Sequence, residues 1–174
     1  MRKAVVFITG AGGEIGHGLI ARLARNGDRR IVTLDVNPLD PEMRPLVHRE
    51  FTGSILDTAL LERVLAEFEV DLVFHLAALL STRAEFTPTT AHHVNVEGTL
   101  NLLEFAQKEG ESHGRPVAFI YPSSIAAYGL PDLETRRRAG VDLEEPGTVR
   151  AVIEQMGALV SRLERELDAA GLLN

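Results

Sequence analysis

Cysteine is absent from the 174 residues, so disulfides and thiolate chemistry are excluded, and the composition fits a reducing compartment. Long apolar runs are missing too. Nothing approaches the roughly 18 consecutive apolar residues that a membrane span requires. The first apolar run, in RKAVVFITGAGG, is too short for a secretory leader and passes straight into glycines. A cytoplasmic location without membrane contact is therefore expected. Positive charge is also scarce. At a formal net charge of −7, with RRR at 136–138 as the one basic run, the chain offers no basic face to a nucleic-acid backbone. Tyrosine occurs only twice.

What is present describes an ordinary folded domain. Apolar residues make up 45% and charged residues 25%, enough for a substantial core in a chain of one domain or one and a small appendage. The periodicity alternates short buried runs with amphipathic stretches, the signature of parallel strands joined by crossover helices. Strands are expected at Ala4–Thr9, 31–35, 47–51, 70–76 and 117–121, and helical patterns at Glu14–Asn26, 57–68 and 88–109. Gly27 should end the first helix and Asp57 should cap the second. The expected class is α/β: a Rossmann-type, doubly wound parallel sheet in three α/β/α layers.

Within that frame one segment points to chemistry. FITGAGGEIGH, residues 7–17, follows a buried strand and opens a helix, so helix N–H groups and the positive dipole end would face a bound pyrophosphate. In this reading Gly10 permits the turn, Gly13 lets phosphate approach the backbone, and Gly16 lets helix and strand pack closely. Asp35 ends the second strand 19 residues after Gly16, where a carboxylate can bond the ribose hydroxyls of a dinucleotide and repel the extra phosphate of NADP. NAD is the expected cofactor.

In order along the chain stand TGAGGEIG with its G-x-x-G-x-x-G spacing, Asp35, TGSILD at 52–57, HLAA at 75–78, VNVEGT at 94–99 and PSSIAAYG at 122–129. This series resembles the extended short-chain dehydrogenases/reductases, the NAD-dependent epimerase/dehydratase family. HLAALLS and PSSIAAYG look most like its L-threonine dehydrogenase and hydroxy-acid members. The resemblance implies that Gly13, Glu14 and Ile15 present backbone to the pyrophosphate, with Asp35 on the adenine ribose and Ser54 and Ile55 flanking the adenine. It also implies that Leu76, Ala77 and Ala78 pass beside the cofactor and that Asn95 stabilises the strand-end geometry there. Ser124 matches the catalytic Ser/Thr that bonds the substrate oxygen, and Leu80 and Ser81 would line the substrate end. The implied reaction is NAD-dependent oxidation of a secondary alcohol on a nucleotide sugar or small hydroxy acid.

Two departures qualify that reaction. The family uses Y-x-x-x-K, in which the lysine cation favours the phenolate that takes the hydroxyl proton. Neither Tyr121 nor Tyr128 has a lysine four residues on, and laying EPGTVRAVIEQMG over the motif puts Arg150 and Glu154 on the pair. Arginine has no accessible neutral form to act as a base. The resemblance also implies further strands and a substrate lobe that these residues do not include, so the chain is expected to be truncated relative to the full family fold. The expectation is cofactor binding with little or no turnover, in a domain spanning 1–147.

Residues 148–174 are expected to form an amphipathic helix: Val149, Ile153, Met156, Val160, Leu163 and Leu167 recur at steps of four and three. It would pack on the domain or, with helix 88–109, form a homodimer interface. The alternative function is a non-catalytic dimerising module. Adjacent His92 and His93 lack metal-ligand spacing, so no metal is expected. Ser123 and Ser124 lack a G-x-S-x-G elbow, which argues against a hydrolase.

Overall fold

The first strand forms because AVVFIT is uninterrupted and apolar, and Val5, Val6, Phe7 and Ile8 are all fully buried, as a central strand covered on both faces requires. The computed structural model describes residues 4–27 and 29–122. These contain β1 (Ala4–Thr9), α1 (Glu14–Asn26), β2 (Arg30–Asp35), β3 (Arg49–Thr52), α2 (Thr58–Glu67), β4 (Glu69–His75), α3 (Ser81–Ala84), α4 (Pro88–His92), α5 (Gly98–His113) and β5 (Ala118–Ile120). The strands form one parallel sheet in the order β3-β2-β1-β4-β5, so the chain runs outward from β1 and then restarts on its other side. That reversal beside β1 is the switch point at which open α/β sheets take their ligands.

The expected doubly wound sheet with flanking helices is present. Gly27 ends α1 in the left-handed region at φ 71°, and its N–H returns to the Leu23 carbonyl. Asp57 caps α2 by accepting from the Leu60 N–H at 3.0 Å. The third strand lies two residues later than its pattern suggested at the start. A 3₁₀ turn (Arg44–Leu46) occupies the approach, and β3 itself, REFT, is a charged edge strand with only Phe51 buried. The 88–109 pattern divides: α4 passes through a π-helical turn (His93–Glu97) into α5, with the Gly98 N–H bonding back to His93. Residues 148–174 lie outside the described residues.

One face of the sheet carries Val5, Phe7, Val32, Leu34, Val70 and Val73, packed against Leu60, Leu61 and Val64 of α2 and Leu102 and Phe105 of α5. Phe7 and Phe105 meet at 5.3 Å between ring centroids. Residues of the opposite parity, such as Val6, Ile8 and Phe74, are equally buried. Outside the first cluster, α1 contributes its own buried stripe of Leu19, Ile20 and Leu23.

β4 is not regular. Against β1 its register passes from Val70 to Leu72, leaving Asp71 as an extra residue, and the Asp71 carboxylate receives Arg29 Nη1 at 2.6 Å. β5 joins β4 only from Leu72 onward. The Val70 N–H, ahead of that ladder, instead donates to buried Glu109 at 2.5 Å, and His113 donates to the same carboxylate oxygen at 2.8 Å.

In β2, Thr33 is fully buried, and its hydroxyl has no hydrogen-bond partner among the described residues. Valine has the same shape without the polar group, and an unsatisfied buried hydroxyl is destabilising. Thr33→Val is therefore expected to raise the unfolding free energy by about 1 kcal/mol in urea titration. A decrease would mean that the hydroxyl is satisfied.

Candidate functional site

Thr9 ends β1, and the chain turns away at Gly10, whose φ of 68° suits glycine and few other residues. The Gly10 N–H bonds the Leu34 carbonyl at 2.9 Å, tying the turn to β2, and Gly13 N–H closes the loop onto the Gly10 carbonyl at 3.2 Å. Gly13 is then the N-cap of α1 and offers no side chain to the helix end. The first-turn N–H groups of Glu14, Ile15 and Gly16 consequently lack an intrahelical acceptor, and Glu14 lies exposed beside them.

The glycines differ in what they make room for. A Cβ on Gly10 would lie 2.5 Å from the Ala77 nitrogen and 2.6 Å from the Leu76 carbonyl carbon, so this turn is pressed against the backbone leaving β4. One on Gly16 would lie 2.4 Å from the Ala11 oxygen, which fixes the close approach of helix and loop. Among the described residues, one on Gly13 would meet nothing nearer than the Gly10 oxygen at 3.4 Å. Protein packing thus accounts for Gly10 and Gly16, whereas among the described residues nothing fills the space in front of Gly13.

Asp35 ends β2 beside this loop. One carboxylate oxygen accepts the Gly12 N–H and the other the Asn37 N–H, each at 2.9 Å. A Cβ on Gly12 would stand 3.3 Å from that carboxylate. Gly12 is therefore a site residue that the G-x-x-G-x-x-G spacing passes over, and nothing in a sequence marks it except an adjacent glycine. A carboxylate has about four acceptor positions, so two remain for a ligand's hydroxyls.

The other candidates divide. Leu76 and Ala77 back the glycine turn, with exposed Ala78 next along the chain. Asn95, in the π turn, clamps Leu79 from both sides: its Oδ1 accepts the Leu79 N–H at 2.7 Å and its Nδ2 donates to the Leu79 carbonyl at 3.0 Å. The Ser54 hydroxyl accepts the Leu56 N–H at 3.1 Å and so shapes its own turn. Ile55 faces inward: its side chain fills the space left by Gly98, and its carbonyl accepts from Asn101 at 3.2 Å. Ser124, Tyr128, Arg150 and Glu154 lie outside the described residues.

His75, the last residue of β4, is fully buried between Thr9 and Thr99, and burial lowers its pKa from 6.5 to about 4. Between those values the unfolded chain takes up a proton that the folded protein refuses, so stability is complete above pH 6.5 and declines as pH falls towards 4. At ~1.4 kcal/mol per pH unit the loss reaches roughly 3 kcal/mol. Urea unfolding at pH 7 and pH 4.5 should show this loss in the native protein and a shallower one in His75→Asn. Equal slopes would refute it.

A glycine turn at the switch point, an uncapped helix start and a strand-end carboxylate define a Rossmann-type nucleotide-binding protein. The model of the NAD dependent epimerase/dehydratase family matches residues 6–150, and the chain belongs to that family. A UDP-glucose 4-epimerase of Rhizobium leguminosarum bv. trifolii is 32% identical over 98% of this chain and 54% of its own length. Among solved structures, an L-threonine dehydrogenase from Cupriavidus necator in its holo form is 32% identical with a TM-score of 0.60, covering 71% of this chain and 38% of that one. The UDP-glucose 4-epimerase of Thermotoga maritima, with UDP-glucose, is 29% identical with a TM-score of 0.55, covering 60% and 34%. The chain spans about half the length of the curated relatives it matches, at 54% and 47% for two of them.

Proposed function

We propose that the chain binds NAD across the β1–α1 loop. Gly10, Gly13, Glu14, Ile15 and Gly16 present backbone to the pyrophosphate, and Asp35 bonds the adenine ribose. Ser54 and Ile55 border the adenine, Ile55 through its backbone because its side chain is in the core. Leu76, Ala77 and Ala78 run beside the cofactor, with Asn95 holding the next residues of that loop. The observation that carries the reading is the Asp35 carboxylate fastened to the loop through Gly12, with acceptor positions left over.

NAD, when bound, supplies a hydride acceptor. The proposed family reaction is oxidation of a secondary alcohol on a nucleotide sugar or small hydroxy acid, with Ser124 bonding the substrate oxygen. These 174 residues contain no Y-x-x-x-K, so binding with little or no turnover is the reading for the chain itself. Calorimetric titration should give saturable heat with NAD and an affinity for NADP at least about tenfold lower, a difference of 1.4 kcal/mol. The absence of heat with NAD would remove the assignment. A cytoplasmic setting belongs to the same reading. No helix among the described residues is long and apolar enough to cross a membrane.

A homodimer is the second part of the proposal. Val96, Leu100 and Leu103, at steps of four and three leading into α5, are 44%, 54% and 45% exposed and form an apolar row suited to a second copy. Light scattering should find a dimer that Leu100→Glu converts to a monomer. A native monomer would refute it.

A further inference from the structure

Beneath the glycine loop, hydrogen bonds connect the ends of β1 and β4 to the turn that carries Asn95. Thr9 Oγ1 lies 2.8 Å from His75 Nδ1, and His75 Nε2 lies 2.9 Å from Thr99 Oγ1. Thr99 Oγ1 in turn donates to the Asn95 carbonyl at 2.7 Å. Beyond it, the Asn95 side chain holds Leu79 by both backbone groups.

The direction of this chain follows from counting protons. A threonine hydroxyl has one hydrogen, and Thr99 gives it to Asn95, so towards His75 it can only accept. His75 must then carry its proton on Nε2. With a neutral ring, Nδ1 is left as an acceptor and takes the hydroxyl hydrogen of Thr9. Every group has one role and none is left over. The ring is enclosed, with Tyr121 stacked on it at 5.1 Å and 20° and Phe119 at 6.0 Å.

We infer that His75, as the Nε2–H tautomer, is a positioning residue for the cofactor site, setting Thr9 and the turn that follows it against the 76–79 loop. Gly10 and the backbone of 76–77 face each other with no space for a methyl group, and Thr9 and His75 immediately precede those two segments. The Leu76 N–H also bonds the Thr9 carbonyl at 3.0 Å, so backbone and side chain hold one junction together. Loss of the relay would leave the sheet intact and let the two walls of the cradle shift. Preorganised supporting bonds of this kind decide whether a site is held to within fractions of an ångström.

The inference rests on the NAD reading for its binding arm only. Thr99→Val keeps the side-chain shape and removes both the acceptor for His75 and the donor to Asn95. Its affinity for NAD should fall by about five- to tenfold, the scale of coupling through supporting residues, while Thr99→Ser stays within about twofold of the native protein. A Thr99→Val protein that melts earlier but binds NAD as tightly as the native chain would overturn the inference, because the role would be structural only. Nitrogen-15 spectra of histidine-labelled native protein test the tautomer without any cofactor or variant. A protonated Nε2 and bare Nδ1 at His75 are expected, and the opposite pattern would overturn the relay. If the native protein bound no NAD while its spectrum showed the Nε2–H form, the cofactor reading alone would fail.

Discussion

Asp35→Ala is expected to weaken NAD binding by roughly thirty- to a hundredfold in calorimetric titration, because hydrogen bonds to a charged group contribute about 1.5–3 kcal/mol and 1.4 kcal/mol is a tenfold change in affinity. Two losses combine. The ribose hydroxyls lose their acceptor, and the Gly12 N–H loses the carboxylate that fixes the middle of the loop. Asp35→Asn separates them, since one amide oxygen can still accept from the loop while the negative charge is gone. Asparagine should therefore bind better than alanine and discriminate less against NADP, whose extra phosphate the charge repels. Equal affinity of the native and alanine proteins for NAD would show that Asp35 is a turn residue only.

Two glycine substitutions should separate folding from binding. Gly10→Ala meets both a left-handed φ, costing about 1–2 kcal/mol, and backbone atoms within 2.6 Å that cannot move aside. A destabilisation of about 3 kcal/mol or more is expected, at the level of other overpacked or strained positions, together with loss of NAD binding. Gly13→Ala meets neither obstacle: the backbone there is extended at φ −76°, and the nearest atom among the described residues is at an ordinary distance. This variant should melt within about 0.5 kcal/mol of the native protein, as unobstructed substitutions do, and still fail to bind NAD because its methyl group occupies the approach of the pyrophosphate. Thermal melts with and without NAD read both quantities. A Gly13→Ala protein that keeps native affinity would show that the ligand does not approach there.

Much of this fold was legible because its signals are local. β1 could be bounded to the residue from its apolar run, and α1 from a helical stripe closed by Gly27. Asp57 announced α2 as a cap ahead of Leu60 and Leu61. β3 was harder, since an edge strand with one buried residue has little apolar pattern, and Val47 belongs to the end of the preceding turn. The break within 88–109 has no sequence marker: hydrogen bonds to the fifth residue leave the apolar spacing nearly unchanged while turning Asn95 towards Leu79. In the site, the glycines and Asp35 stood out because a turn followed by a strand-end acid is a linear pattern. Gly12, Thr9 and Thr99 did not, because their partners lie 23, 66 and 24 residues away in the chain.

The extra residue in β4 has a consequence for inheritance. In a regular strand Val70 and Val73 would lie on opposite faces, yet both belong to the cluster beneath α2 and α5. The bulge at Asp71 absorbs that difference of one, and His75 faces Thr99 on the α5 side. Removing the Asp71 codon would leave a regular strand in the same register, with Leu72 still opposite Val6 and Val73 opposite Phe7. The imidazole would keep its place beside Thr99, and only the Arg29–Asp71 contact would go. Asp71 is thus the place in β4 where a lineage can lose a residue without turning any later side chain to the other face, whereas a loss between Leu72 and His75 would break that alternation.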